Sequence, residues 1–339
     1  MSRSDFNILA GLFQPRLDWI QVEVTSHCNA ACIYCPRTAY RGSWENRHLS
    51  MSTFQSLARS FKMARLIHLQ GWGEPFLNPH FFEMAAAAKD AGCRVGTTTN
   101  AGILDPDRIA RLVESRIDLI AFSLAGTGVE SDEIRRGTRL EKVLETIAAL
   151  TREKERLKAA GPEIHIAYML FRSGLDRLRQ MPGLVKGLGV SDVVITTLDM
   201  VACEDLLEEA IHPRTEAEHR ELASYLDSVV ADGERQGVKI HYHLAHPERS
   251  REVCTENVTR ALCVASDGAV TPCVFTNLRV EEALYLAGGE KKTYRRLSLG
   301  NVNEKPLAEI WRSKDYKAFR ASFKKGPLAE PCQGCPKLR

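Results

Sequence analysis

The chain has 339 residues, 44% hydrophobic and 26% charged, the balance of a globular protein with one large domain and an appendage, or two domains. A formal charge of +3 is too small at this length to imply a polyanionic partner, so no nucleic acid is expected. No apolar run approaches the ~20 residues of a membrane span, and residues 1–13 lack a signal pattern, so the expected location is cytoplasmic, without membrane.

In chain order, residues 19–25 read as a buried strand, followed by a cysteine-rich loop. A helix is expected over 52–61 with Ser52 as its cap. An apolar strand over 66–70 stops at Gly71-Trp72-Gly73-Glu74-Pro75. An Ala-rich helix over 79–90 closes at Gly92, and a strand over 95–99 runs into Asn100-Ala101-Gly102. Then come a helix over 106–114, a strand over 119–124, a long amphipathic helix over 140–159, and strands over 164–170 and 193–197 around a helix over 178–188. A helix over 215–232, a strand over 238–244, a hairpin over 261–273 turning at Asp267-Gly268, and a helix over 307–323 complete the pattern. Six strand-helix units imply an α/β fold with a parallel sheet, too few to close an eight-stranded barrel. A curved, partial (β/α)6 TIM-like barrel fits, with ligands at the carboxyl ends of its strands.

The chemistry is concentrated in cysteines. With a cytoplasmic location, the ten are metal ligands or buried thiols rather than disulfides. Cys28, Cys32 and Cys35 stand at C-x3-C-x2-C spacing on one loop, so three thiolates can face one point. Zinc closes a structural site with four ligands, and no histidine stands at finger spacing. Three ligands suit a [4Fe-4S] cluster whose fourth iron stays open to a substrate or cofactor. A second set, Cys332-Gln333-Gly334-Cys335 with Cys254, Cys263 and Cys273 upstream, suits zinc or a [4Fe-4S] cluster, and spacing does not separate the two. His241, His243 and His246 have no evident acidic third ligand and read as a surface strand. Cys93 reads as a small buried hydrophobe.

With Tyr34 before its last cysteine, the loop resembles that of the radical S-adenosylmethionine (SAM) enzymes. The resemblance implies that SAM chelates the open iron, and that one electron cleaves it to a 5′-deoxyadenosyl radical that abstracts a substrate hydrogen. Gly73-Glu74 resembles the end of the family's Gly-Gly-Glu motif, with Trp72 separating the glycines, and implies that Gly73 and Glu74 hold the SAM amino group. Asn100 stands in Thr99-Asn100-Ala101, where the family has Thr-Asn-Gly. Ser123 stands where a serine contacts the SAM ribose or carboxylate, although Ala125 replaces an aspartate often found there. Met169 and Leu170 end the strand expected to wall the adenine. Arg135-Arg136-Gly137 matches a common family segment and reads equally well as a solvated basic turn. By position at the barrel mouth, Asp199 is a candidate for substrate binding or proton removal, and Cys203 for hydrogen donation or ligation, with an inert thiol as the plainer reading.

Towards the C-terminus, Asp267-Gly268-Ala269-Val270-Thr271-Pro272-Cys273, Gly300-Asn301-Val302, Glu309-Ile310-Trp311 and the final C-x2-C resemble the SPASM and Twitch extensions, which hold auxiliary iron-sulfur clusters. The resemblance implies a small α+β iron-sulfur domain with one auxiliary [4Fe-4S] cluster on Cys254, Cys273, Cys332 and Cys335, with Cys263 as the alternate to Cys254. The expected organisation is an N-terminal extension over 1–17, the barrel over 18–205, a connection over 206–250 and the cluster domain over 251–339. The expected partners are a one-electron donor of flavodoxin or ferredoxin type and a substrate that is a small molecule, peptide or protein. About eighteen residues precede the first strand, so a peptide substrate is expected to need a separate recognition protein. The expected reaction is a net oxidation by an oxidoreductase or maturase. The alternative is a non-catalytic iron-sulfur or zinc electron-transfer module.

Overall fold

The structure, a computed structural model, describes residues 17–247, 254–280, 284–287, 290–335 and 337–338. Residues 1–16 of the expected N-terminal extension lie outside the described residues, and Leu17 already belongs to the first strand.

Six parallel strands form the barrel core: β1 (Leu17–Val22), β2 (Ala64–Leu69), β3 (Arg94–Thr99), β4 (Leu119–Leu124), β5 (Glu163–Leu170) and β6 (Val190–Thr197). They lie side by side in chain order, as right-handed strand-helix-strand crossovers dictate. The sheet extends further at both edges. β7 (Lys239–Tyr242) pairs parallel with β6, and β8 (Ala261–Val264) pairs parallel with β1 and antiparallel with β9 (Val270–Thr271). The C-terminal cysteine region therefore begins as an extra strand on the barrel's own sheet.

The strands alternate because helices cover one face. In β5, Ile164, Ile166, Tyr168 and Leu170 are buried against the helices, while His165, Ala167 and Met169 alternate on the lumen side. The helices answer with apolar stripes. These helices are α1 (Pro36–Ala39), α2 (Met51–Ala58), α3 (Phe81–Asp90), α4 (Pro106–Glu114), α5 (Glu130–Ile134), α6 (Leu140–Leu157) and α7 (Met181–Val185). In α6, Val143, Ile147 and Leu150 recur at helical spacing and are buried. α8 (Glu216–Arg235) backs β7, capped by Thr215.

Local chemistry moved some boundaries. Ser50, not Ser52, caps α2, because its hydroxyl accepts from the Thr53 backbone N–H. The expected helix over 178–188 shortens to a 3-10 turn (Leu178–Gln180) and α7, before the left-handed Gly187 and Gly189. The expected helix over 307–323 is two helices, α9 (Leu307–Arg312) and α10 (Lys314–Ser322). Ser313 is extended between them and its hydroxyl caps α10. The hairpin turns at Asp267-Gly268, with Gly268 at φ +87°. A small sheet, β10 (Leu284–Ala287) with β11 (Glu290–Thr293), lies close enough to the barrel for Leu286 to bridge Val201. No helix among the described residues is long and apolar enough to cross a membrane.

Candidate active site

The carboxyl ends of β1 to β6 open into a cleft of about 400 Å³. Cys28, Cys32 and Cys35 line it from the loop after β1, with Tyr34 and Pro36. Gly73 and Glu74 enter after β2, Asn100 after β3, Ser123 from β4, Met169 from β5, and Asp199 after β6. Leaving out Pro36, these ten expected site residues meet in one space. Leu170, next to Met169, faces the helices instead and is 1% exposed.

Glu74 is the fulcrum of the strand ends. Its carboxylate accepts from the Asn100 backbone N–H at 2.7 Å, the Thr99 hydroxyl at 2.8 Å and the Phe76 N–H at 3.4 Å. Burial pushes its carboxyl up to about 7, against the pull of those hydrogen bonds. A carboxyl poised at neutrality inside a cleft is ready to ionise opposite an ammonium. Gly73 is required by close approach. A Cβ there would lie 2.4 Å from the carbonyl oxygens of both Thr25 and His27, which lead into the cysteine loop. Asn100 closes the circuit by donating to the Cys28 sulfur at 3.6 Å and to the Asn29 side chain at 2.9 Å.

The three thiols are closely coupled. Burial pushes Cys35 up to about 12, and the neighbouring Cys32 and Cys28 push in the same direction. Burial likewise raises Cys28. Mutually repelling thiols in a buried loop become thiolates when a metal cluster supplies the compensating charge. The Arg135 guanidinium, buried at 5% exposure, lines the same cleft and donates to the Tyr34 hydroxyl at 2.5 Å. Its Nε has no hydrogen-bond partner among the described residues. An orphaned guanidinium N–H in a cleft fits an incoming carboxylate. The residues therefore fit a cluster with SAM beside it.

A second cavity adjoins the first. Cys254, Cys273, Cys332 and Cys335 line it together, with Phe275, Tyr285 and Tyr294 as an aromatic wall. Burial raises Cys273 well above the usual thiol value, with Glu256 and then the other three thiols adding to the effect. Burial also pushes Cys254 to about 11 and Cys332 to about 12. Cys263 is elsewhere: it sits inside β8, 1% exposed, opposite Gln21 of β1 and Thr271 of β9. Asp199, Glu256 and Lys337 line both cavities and form the wall between them. Lys337 Nζ is 2.7 Å from Asp199 and 3.5 Å from Glu256.

Two expectations change. Cys203 does not line the cleft; it packs beside Phe171, Val201 and Leu206 in a satellite core. Asp199 does face the cleft, but as an ion-pair partner that also accepts from Thr197 at 2.9 Å. Sequence reasoning missed Glu256 and Lys337, and left Arg135 open between a family segment and a solvated turn. The position of Lys337 two residues beyond Cys335 was the available signal. His241, as expected, lies on the surface, where its ring pairs with Asp192 at 2.9 Å.

The model of the radical SAM superfamily matches residues 22–160, and that of the SPASM iron-sulfur cluster-binding domain matches residues 254–336. The chain is a radical SAM protein with a SPASM domain. A tungsten-containing aldehyde ferredoxin oxidoreductase cofactor-modifying protein of Pyrococcus furiosus is 26% identical over 94% of this chain and 87% of its own length. An AdoMet-dependent heme synthase of Methanosarcina barkeri is 24% identical over 88% of this chain and 82% of its own length. Among solved structures, Streptococcus suis SuiB bound to its precursor peptide SuiA superposes with a TM-score of 0.67, at 14% identity, over 98% of this chain and 72% of that one. This radical SAM protein therefore shares the partial-barrel fold of SuiB. Its cofactors are a catalytic [4Fe-4S] cluster with SAM, and auxiliary iron-sulfur at the SPASM domain. It is an enzyme of the radical SAM class.

Proposed function

We propose that this enzyme abstracts a hydrogen from a small molecule, peptide or protein and completes a net oxidation as an oxidoreductase of the maturase kind. Within this reading Cys28, Cys32 and Cys35 hold the catalytic cluster, and Cys254, Cys273, Cys332 and Cys335 hold one auxiliary [4Fe-4S] cluster. When bound, the reduced catalytic cluster and SAM supply a 5′-deoxyadenosyl radical, and the auxiliary cluster supplies a fixed one-electron site. Gly73 and the Glu74 carboxylate hold the SAM ammonium, and the Arg135 guanidinium takes its carboxylate. Ser123 and Asn100 complete the polar wall, and Met169 packs on the adenine. Asp199 is the carboxylate that meets the substrate at the mouth. An external flavodoxin- or ferredoxin-type donor supplies the electron, in the cytoplasm.

The observation that carries the reading is the adjacency of a three-thiol loop and a four-thiol pocket on one cleft. A three-thiol set leaves one iron for a ligand, whereas a four-thiol set leaves none. The relative named for cofactor modification and the fold shared with a peptide-bound enzyme support both substrate classes. The test is product mass in an anaerobic reaction with SAM and candidate substrates. A product two hydrogens lighter than the substrate, with one 5′-deoxyadenosine per turnover, supports net oxidation. A product of unchanged mass means a redox-neutral reaction.

A further inference from the structure

The wall between the two cavities is ionic. Lys337 is 7% exposed, and its ammonium lies 2.7 Å from Asp199 and 3.5 Å from Glu256. The same ammonium stands 5.2 Å over the ring of Phe275, which also lines both cavities. Asp199 is 6% exposed and is fixed from behind by the Thr197 hydroxyl. The backbone links the group to the pocket as well, since the Thr255 N–H, next to Cys254, donates to the Lys337 carbonyl at 3.0 Å.

Buried charges of this kind are costly unless they pair, and a structural tie between two loops is built more cheaply from apolar side chains. Three charges at a partition therefore call for another use. Two carboxylates and one ammonium leave a net charge of minus one beside the four thiols. In a low-dielectric wall that charge is felt strongly on both sides.

We propose that Lys337 is a positioning residue that sets the reduction potential of the auxiliary site and couples it to the cleft. Its ammonium holds Asp199 towards the substrate space while offsetting the negative charge next to the thiolates. A substrate group that pairs with Asp199 or Glu256 from the cleft changes the charge balance at the wall, and the auxiliary site reads that change as a shift in potential. Electron acceptance is thereby tied to an occupied cleft. The inference rests on the reading that Cys254, Cys273, Cys332 and Cys335 hold an iron-sulfur cluster.

The experiment uses the full chain with Cys28, Cys32 and Cys35 all changed to alanine, anaerobically reconstituted with iron and sulfide, in a redox titration followed by electron paramagnetic resonance. The midpoint potential is compared for this background and for Lys337→Gln, Lys337→Arg and Asp199→Asn added to it. Lys337→Gln leaves two negative charges at the wall and is expected to shift the midpoint to more negative values. Asp199→Asn leaves Glu256 balanced by Lys337, a net charge of zero, and shifts it the other way, and Lys337→Arg keeps the midpoint of the background. Opposite shifts in the first two variants support the proposal. An unchanged midpoint in both, or shifts of the same sign, overturns it and leaves Lys337 as a strut. If Lys337→Gln fails to hold its cluster, Asp199→Asn decides alone: a positive shift supports the proposal and no shift overturns it. If the triple-alanine background itself forms no cluster, the four-cysteine reading falls and the proposal falls with it.

Discussion

Glu74 and Asn100, at the ends of neighbouring strands β2 and β3, are joined by a hydrogen bond from the Asn100 backbone N–H to the Glu74 carboxylate at 2.7 Å. Because the Asn100 side chain also donates to the Cys28 sulfur, one contact sets the distance between the cysteine loop and the SAM-binding edge. In Glu74→Ala the Thr99 hydroxyl and Asn100 N–H lose their acceptor in a buried place, at a cost of about 1–3 kcal/mol. Equilibrium binding should show SAM affinity weakened about tenfold or more, equivalent to about 1.4 kcal/mol. Unchanged affinity would remove Glu74 from the SAM site.

Gly73 is expected to be intolerant of even one methyl group. A Cβ 2.4 Å from two backbone carbonyls has no flexible neighbour to displace. Overpacking of this kind costs about 1–3 kcal/mol, and here it is borne by the residues leading into Cys28. Gly73→Ala should drop the iron content of the reconstituted protein from about eight to about four per chain, the loss of one four-iron cluster. Retention of about eight would show that the loop accommodates the change.

Cys263, the expected alternate to Cys254, separates cleanly by position from the pocket thiols. Cys273 lines the four-thiol pocket and Cys263 lies inside β8. Cys273→Ala is expected to lower iron from about eight to about four per chain. Cys263→Ala, which deletes only a buried sulfur, should keep the iron and cost about 1–2 kcal/mol in a denaturant titration. The reverse pattern would make Cys263 a ligand.

Acid should loosen the junction of hairpin and barrel. Burial alone would raise the Asp267 carboxyl, but Arg296, bonded to both its oxygens at 2.6 and 3.0 Å, overrides this and holds it at about 2. A depressed folded value stabilises the protein above the ordinary carboxylate pKa near 3.8, and the gain is lost as pH falls towards 2. Asp267→Asn should therefore be less stable at neutral pH by about 2 kcal/mol and show less dependence on pH between about 4 and 2. Equal slopes for the two proteins would mean that the pair contributes nothing.

Much of this was legible in local sequence. The barrel strands alternate because one face meets helices, and the cysteine loop, Gly73-Glu74 and Asn100 lie on short segments whose spacing already states their geometry. What escaped reading depends on long-range packing. That β8 pairs with β1 joins residues about 240 positions apart, and nothing within either strand names its partner. Lys337, Glu256 and Asp199 form one wall only because the C-terminal turn folds back over the end of β6. Arg135 read equally well as a family segment or a solvated turn, because the contact that buries it comes from Tyr34, about a hundred residues earlier. Cys203 was read as a mouth residue from its place after β6, yet the chain there turns towards Phe171 and Leu206. The break at Ser313 is the exception, since a serine followed by Lys-Asp was a capping signal in plain view.

The most direct measurement is 5′-deoxyadenosine release from SAM by the anaerobically reconstituted, dithionite-reduced protein, beside its Cys32→Ala variant. The account predicts release by the wild type and none above background by the variant, whose loop keeps only two thiols. Equal yields from both, or no 5′-deoxyadenosine from a wild type carrying its full iron, would contradict it.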